Sequence, residues 1–258
     1  DYEPKQAGSL KEIERGDIRF EHVSFSYDGK RDVLKDISFE VKNGQTIAFV
    51  GHTGSGKSSI INLFMRFYEF DRGRILIDGQ DIKDYSQEAL RKSIGLVLQE
   101  PFLYHGTIAS NIRMYHEELT DEEIRQAAAF VDVADFIESL PGGYDHPVTE
   151  RGSTLSTGQR QLLAFARTIA AQPKILILDE ATANIDQETE EMIQNSLKKM
   201  RQGRTTIAIA HRLSTIQDAD CIYVLDKGKI IESGNHDQLI ALGGTYKKMY
   251  DLQAGMMK

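Results

Sequence analysis

A glycine-rich loop between a predicted strand and a predicted helix constrains this sequence more than any other feature. Thr46–Val50 is a near-continuous apolar run, and residues 58–67 carry apolar side chains at helical spacing. Between them, residues 51–58 match G-x-x-x-x-G-K-[ST] at every fixed position. The glycines let backbone N–H groups converge on phosphate oxygens, and the helix N-terminus adds partial positive charge. The sequence therefore predicts a nucleotide phosphate site in an α/β fold.

Within this loop the side chains have separate expected roles. Lys57 is predicted to reach the β- and γ-phosphates, and the Ser58 hydroxyl is predicted to coordinate Mg²⁺. The residues of this segment predicted to contact ATP are Gly51, His52, Thr53, Gly54, Ser55, Gly56, Lys57, Ser58 and Ser59.

Two carboxylates follow a second apolar run. Residues 175–178 are Ile-Leu-Ile-Leu, and Asp179 and Glu180 come directly after them. Such a strand carries its acids to the carboxyl edge of the sheet, where ligands bind in open α/β folds. Asp179 is predicted to hold Mg²⁺, directly or through water, and Glu180 to polarise the attacking water as a general base. Alternatively, both are solvated residues of the loop after a strand.

A second anion site is predicted at the start of another helix. Leu-Ser-Thr-Gly-Gln at residues 155–159 precedes a helical stretch at 160–170. One nucleotide does not need two phosphate-binding helix ends, so this pattern favours two chains that each cover the other's nucleotide. The alternative is a helix that is simply capped by Ser156.

The pentapeptide resembles the L-S-G-G-Q signature of the nucleotide-binding domain of ATP-binding cassette (ABC) transporters. Other motifs stand in family order: Gln99 matches the Q-loop, residues 181–186 the D-loop and His211 the switch histidine. Tyr27 stands where the family places an aromatic residue that stacks on adenine. The resemblance covers residue 18 to the C-terminus.

The resemblance implies an α/β fold: a P-loop NTPase (RecA-like) core with a mostly parallel sheet, an antiparallel β subdomain and an inserted α-helical subdomain. Residues 1–16 are interpreted as a linker remnant and residues 17–258 as the nucleotide-binding domain, with the helical subdomain at about 102–171.

The resemblance also implies a catalytic cycle. Two cassettes close head-to-tail around two ATP–Mg²⁺, and Ser156, Gly158 and Gln159 contact the nucleotide on the facing chain. Glu180 orients the water, and His211 contacts the γ-phosphate. Gln99 ligates Mg²⁺, acts in catalysis and links the site to the membrane domain. The catalytic set is therefore expected to be Glu180, His211, Lys57 and Gln99, and the Mg²⁺ set Ser58, Gln99 and Asp179.

Two segments favour an exporter. Residues 148–152 and 106–112 are similar to exporter patterns, although Thr149 stands where exporters commonly have glycine. The start of the chain, which has neither a Met nor a signal-peptide pattern, suggests a fragment with its own transmembrane domain upstream. The expected location is the cytoplasmic face of the cell membrane, and the expected partners are that domain and a second cassette.

The second cassette is either a copy of this chain or a different one. Thr157 in the signature and Ala183-Asn184 in the D-loop depart from the family pattern and slightly favour a heterodimer with one degenerate site.

Three other functions stay open from the sequence: an importer cassette, a non-transport ABC ATPase, and a regulatory module that binds ATP without hydrolysing it. With 31 Lys and Arg against 39 Asp and Glu, the net charge of −8 argues against a nucleic-acid partner. The single cysteine excludes an intrachain disulfide.

Overall fold

A computed structural model describes residues 8–10, 12–70, 72–98, 100–180 and 186–256. The chain divides into two compact units. The first, here called the core unit, comprises Asp1–Ile94, Lys174–Glu180 and Gly203–Lys258. The second, the helical unit, comprises Gly95–Pro173 and Ala181–Gln202.

The regular elements follow in chain order. The strands are β1 (Ile18–Phe25), β2 (Leu34–Val41), β3 (Thr46–Val50), β4 (Arg72–Ile77), β5 (Gln80–Asp81), β6 (Ile94–Val97), β7 (Gly106–Thr107), β8 (Pro147–Val148), β9 (Ile175–Asp179), β10 (Thr205–Ile209), β11 (Cys221–Asp226) and β12 (Lys229–Gly234). The α-helices are α1 (Lys57–Phe64), α2 (Gln87–Ser93), α3 (Ile108–Arg113), α4 (Asp121–Phe130), α5 (Ala134–Ser139), α6 (Thr157–Ala170), α7 (Gln187–Arg201), α8 (His236–Leu242) and α9 (Thr245–Gln253).

The larger sheet has the strand order β12-β11-β3-β10-β9-β6. Within the core unit, β3 lies between β10 and β11, parallel to both, and β10 is also parallel to β9. All five residues of β3 and of β10 are buried, as expected for strands that are covered on both faces. Because parallel strands end at the same edge, the residues after β3, β9 and β10 come together there.

The smaller sheet is antiparallel, with the order β2-β1-β4-β5. Buried and more exposed residues alternate along much of β1 and β2, as their sequence patterns predict. Phe20 and Phe39 lie opposite each other in the register, and their rings stack with centroids 4.4 Å apart. This face of the sheet is part of the core of the unit.

Helix α1 begins at Lys57 and ends at Phe64, three residues before the predicted end. The reason lies at Arg66, whose backbone is left-handed with φ 53°. Its buried guanidinium donates to the Tyr85 carbonyl at 3.2 Å and to the Glu69 carboxylate at 3.0 Å. These contacts stabilise a non-helical turn at Arg66 in place of another turn of α-helix.

The segment before β1 is bound to the core unit along much of its length. The Leu10 N–H donates to the Asp84 carbonyl at 2.9 Å, and Ile13 is buried. The backbone N–H groups of residues 14–17 all donate to the Asp78 carboxylate, at 2.9 to 3.0 Å. The predicted linker remnant is therefore bound to the core unit at Leu10, at Ile13 and at residues 14–16.

The helical unit is built around α6. Capping boxes begin α4 at Thr120 and α6 at Ser156, and Asp186 caps α7, as the sequence predicts. Helix α7 packs within the unit through a hydrogen bond from the buried Ser196 hydroxyl to the Val131 carbonyl at 2.9 Å. The unit thus extends beyond the predicted 102–171 range. Among the residues that the structure describes, no helix is long and apolar enough to cross a membrane.

Candidate nucleotide-binding site

The loop of residues 51–56 connects β3 to α1 in a conformation that requires glycine. Gly51 has φ 156°, and a Cβ there would lie 2.4 Å from the Leu225 carbonyl oxygen. Gly56 has φ 110°, and its Cβ would lie 2.9 Å from a methyl group of Leu34. The loop therefore follows the path predicted from the motif, with no side chains at these points to screen its backbone N–H groups.

Two polar side chains of the phosphate motif, Ser55 and Lys57, are buried. Lys57 is 8% exposed, and its ammonium donates to the Gly51 carbonyl. Burial lowers the pKa of Lys57, and the negative charge of Asp179 opposes this shift. The buried Ser55 hydroxyl has no hydrogen-bond partner within the described residues. A buried cation with spare donors and an unpaired hydroxyl suit an anionic ligand. His52, Thr53, Gly54 and Ser58 are exposed.

Tyr27 lies just beyond β1 and reaches the start of α1. Its ring is 46% exposed and packs edge-on against Phe25 and Tyr68, with centroid distances of 4.7 and 4.8 Å. The Tyr27 hydroxyl lies 3.0 Å from the Ser59 hydroxyl and accepts a hydrogen bond from the Asn62 amide at 3.0 Å. The structure thus brings predicted residues Tyr27 and Ser59 together. Sequence reasoning missed Asn62 and Tyr68, which hold the ring.

Asp179 is the last residue of β9, where it is paired in register with Ile209 of β10. Burial raises the pKa of Asp179, and the nearby charges of His211 and Lys57 oppose this shift. Lys57, Asp179 and His211 therefore come within electrostatic reach of one another at the carboxyl edge of the sheet, as predicted. The attraction does not fully offset the cost of burying the carboxylate.

The Glu180 carboxylate is held by the segment that follows β10. One oxygen, Oε2, accepts from the backbone N–H groups of His211 and Arg212 at 2.9 and 3.0 Å. The other, Oε1, accepts from the Thr215 hydroxyl at 2.5 Å. A carboxylate has about four acceptor positions, so one position on Oε1 is left for a water molecule. Glu180 is thus not simply a solvated loop residue.

The residues of the predicted signature lie in the helical unit. Ser156 caps α6: its hydroxyl accepts from the Gln159 N–H at 3.1 Å, and the Gln159 side-chain oxygen accepts from the Ser156 N–H at 2.9 Å. The cap uses only an acceptor position of Ser156, so the exposed hydroxyl can still donate to a ligand. Gly158 is buried, and a Cβ there would lie 2.1 Å from a methyl carbon of Thr189. Thr157 accepts from Arg160 at 3.3 Å.

The two exporter-like segments meet in the helical unit. Strands β7 and β8 pair antiparallel, with Gly106 opposite Val148 and Thr107 opposite Pro147. Glu150 and Arg151 follow β8 and are exposed. The structure therefore brings the start of the 106–112 segment beside the start of the 148–152 segment.

Some predicted residues lie outside the described part of the chain. These are Gln99, the predicted Q-loop residue, and residues 181–185, which form most of the predicted D-loop. Their roles stay predictions.

Comparisons with known proteins bear on this geometry. A family profile described as "ABC transporter" matches residues 34–183, more than half of the chain. The putative ABC transporter ATP-binding protein exp8 of Streptococcus pneumoniae is 73% identical over 99% of this chain and 44% of its own length. The probable multidrug resistance ABC transporter ATP-binding/permease protein YheH of Bacillus subtilis is 54% identical over 97% of this chain and 37% of its own length.

A solved structure gives the same result. The ATP-bound structure of a bacterial Atm1-family ABC exporter matches with a TM-score of 0.89 and 44% identity, over 98% of this chain and 44% of that chain. The chain thus spans less than half the length of these relatives. The fold class and the family resemblance predicted from the sequence are confirmed. The chain belongs to the ABC transporter family, in which it is an ATP-binding domain of the exporter type.

Proposed function

We propose that this chain hydrolyses ATP–Mg²⁺ at the edge of its central sheet and thereby drives export of a substrate across a membrane. The arrangement at the ends of β3, β9 and β10 carries this proposal. There, Lys57, Asp179 and His211 interact electrostatically, and the Glu180 carboxylate is bonded to the segment that contains His211.

The phosphates of ATP would replace the Gly51 carbonyl as the hydrogen-bond acceptor of the Lys57 ammonium. The backbone N–H groups of residues 51–56 and the Lys57 ammonium are the proposed phosphate donors, since backbone amides and ammonium groups stabilise negative charge. Adenine would stack on the exposed face of Tyr27, whose ring is fixed by Ser59 and Asn62.

The residues near the phosphates also fit Mg²⁺. Within the described residues no group of three or more His, Cys, Asp or Glu side chains could form a metal cage. Mg²⁺ is usually bound through one or two carboxylates together with substrate phosphates. The proposed ligands are the Asp179 carboxylate and the Ser58 hydroxyl, with Gln99 added from the family resemblance. The charges of His211 and Lys57 offset only part of the cost of burying the Asp179 carboxylate. When bound, Mg²⁺ would neutralise charge that develops on the phosphates.

Glu180 is the proposed general base. The free acceptor position on its Oε1 can take a hydrogen bond from the attacking water, while its other bonds fix the direction of the carboxylate. His211, at the end of the same segment, is proposed to contact the γ-phosphate and to stabilise its charge in the transition state.

A second cassette would complete the site. We propose that Ser156, Gly158 and Gln159 of one cassette face the nucleotide held by the other, because the Ser156 hydroxyl keeps a free donor. The partner is a second copy or, as Thr157 slightly favours, a different cassette. The relatives named ATP-binding/permease proteins, and the coverage of 37% of one of them, support an attached membrane domain and a location at the cytoplasmic face of the cell membrane.

The test is Glu180→Gln, measured by ATP turnover and by light scattering with ATP and Mg²⁺. The glutamine oxygen can accept from the His211 and Arg212 N–H groups, and its amide can donate to Thr215, so the fold should be retained. We expect intact ATP binding and turnover lowered by on the order of 10²-fold. The exposed Glu117→Gln is the matched control and should keep wild-type turnover.

The outcomes separate the parts of the proposal. Wild-type turnover in Glu180→Gln would exclude Glu180 as the base. An ATP-dependent shift of the variant from monomer to dimer supports pairing of two copies. A variant that binds ATP and stays monomeric favours a distinct partner.

A further inference from the structure

The segment of residues 211–215, here called the switch segment, is held from a second side by the C-terminal helix. Gln253 is the last residue of α9. Its side-chain oxygen accepts from the Leu213 N–H at 2.8 Å, and its side-chain amide donates to the His211 carbonyl at 2.8 Å. One side chain thus bonds both a donor and an acceptor of the switch segment.

Helix α9 is itself fixed at its start. The Glu232 carboxylate of β12 accepts from the Thr245 and Tyr246 N–H groups at 2.6 and 2.9 Å. Tyr246 is fully buried, and its hydroxyl lies 2.8 Å from Nδ1 of His236. Gln253 is eight residues from Thr245, about 12 Å along a helix that rises about 1.5 Å per residue. Its position is therefore set by the anchored end of α9.

The two sets of bonds on the switch segment are complementary. Glu180 accepts from the N–H groups of His211 and Arg212, whereas Gln253 bonds the His211 carbonyl and the Leu213 N–H. Together they fix consecutive peptide groups. Leu213 is buried, so its N–H has no easy replacement partner in water. A glutamine is suited to this place because its amide supplies one acceptor and donors from a single planar group.

We propose that Gln253 is a positioning residue for ATP hydrolysis: it fixes the backbone of His211 and, through that backbone, the Glu180 carboxylate. The inference depends on the proposed roles of His211 and Glu180. Gln253 itself contacts neither the phosphate loop nor Tyr27 through any hydrogen bond the structure gives it. It should therefore affect the rate of hydrolysis and leave ATP binding unchanged.

Two variants of similar size test the proposal. Gln253→Met removes both side-chain hydrogen bonds, and Gln253→Glu keeps the acceptor for Leu213 but removes the donor to His211. We expect kcat to fall about 5- to 10-fold in Gln253→Met with KM for ATP unchanged, because small displacements of catalytic groups are costly. Hydrogen exchange at the Leu213 amide should accelerate in Gln253→Met and stay slow in Gln253→Glu. Lys248→Ala, exposed on the same helix, is the control for both measurements.

Several results would overturn the inference. Wild-type kcat in Gln253→Met, together with fast exchange at Leu213, would show that hydrolysis does not need this clamp. A higher KM with unchanged kcat would place Gln253 in ATP binding. Glu180→Gln is measured in parallel: if it loses turnover while Gln253→Met does not, only this inference fails. If Glu180→Gln keeps turnover, the proposed role of Glu180 as the base fails, and this inference loses its premise.

Discussion

The Asp78 carboxylate offers a sharp test of how the segment before β1 is held. Four consecutive backbone N–H groups, those of Glu14, Arg15, Gly16 and Asp17, donate to its two oxygens at 2.9 to 3.0 Å. Asp78 has a left-handed backbone with φ 51°, which asparagine also tolerates. Asp78→Asn therefore changes the hydrogen bonds without adding backbone strain.

The expected cost follows from the position of the four donors. The asparagine oxygen can keep the part-buried bonds from Gly16 and Asp17, and the exposed N–H groups of Glu14 and Arg15 can turn to water. Hydrogen bonds to a charged group contribute about 1.5–3 kcal/mol and neutral ones about 0.5–1.5 kcal/mol. The two retained bonds thus weaken by about 1 kcal/mol each. The free energy of unfolding should fall by about 2 kcal/mol, which lowers Tm by about 4–8 °C.

The assay is thermal unfolding by circular dichroism, combined with hydrogen exchange at the amides of residues 14–17. Asp36→Asn is the matched control, because Asp36 also has a left-handed backbone, with φ 52°, and its exposed carboxylate lies 2.7 Å from Nδ1 of the exposed His22. The control should change the free energy of unfolding by less than about 0.5 kcal/mol. If both variants have the same Tm, or if exchange at 14–17 is unchanged in Asp78→Asn, the reasoning is wrong.

Three further predictions concern the nucleotide site. Tyr27→Ala should weaken ATP binding about 10-fold and Tyr27→Phe by less, since loss of an aromatic stacking platform costs about 1–3 kcal/mol; calorimetric titration with ATP checks this. Thr215→Val removes the hydroxyl that donates to Glu180 and should lower kcat about 10-fold. Thr215→Ser keeps this hydroxyl and should keep the wild-type kcat, and steady-state turnover measurements check both variants. Burial raises the pKa of Asp179 above its usual value of 3.8, so ionising it destabilises the folded state as pH rises from about 4. Asp179→Asn should therefore have a Tm that exceeds the wild-type Tm increasingly from pH 4 to pH 7, and an equal difference at all pH values would contradict this.

The parts of the site that the sequence predicts are those built from contiguous residues. A phosphate loop is made by the backbone of one short segment, so its sequence pattern carries its geometry. Asp179 is predicted from its place after an apolar strand and His211 from the family resemblance, and the parallel register of β9, β10 and β3 explains why they meet. The end of α1 was missed by three residues, because the buried Arg66 ends the helix through contacts with residues distant in sequence.

The contacts that fix the site were not predictable in this way. Thr215 bonds Glu180 across 35 residues, and Gln253 bonds His211 across 42. Neither residue interrupts a periodic pattern, and the sequence predicts no functional role for either, although Thr215 stands only four positions after His211. The Asp78 carboxylate bonds N–H groups that lie 61 to 64 residues earlier in the chain. The polar segment before β1 has no periodicity, so its sequence does not indicate that it is bound. Hydrogen bonds of this kind depend on tertiary structure, and propensity does not encode them.

These long-range bonds change how the candidate catalytic group should be understood. Glu180 comes from the end of β9, but its carboxylate is directed by backbone donors after β10 and by Thr215. The backbone that carries those donors is in turn bonded by Gln253 in the last turn of α9, and α9 is anchored on β12 through Glu232. The direction of one carboxylate therefore depends on the last fifty or so residues of the chain as well as on its own strand. We expect substitution of Gln253 in α9 to alter turnover although it leaves every recognised motif intact, and substitutions that break the anchor at Glu232 to act through the same switch segment.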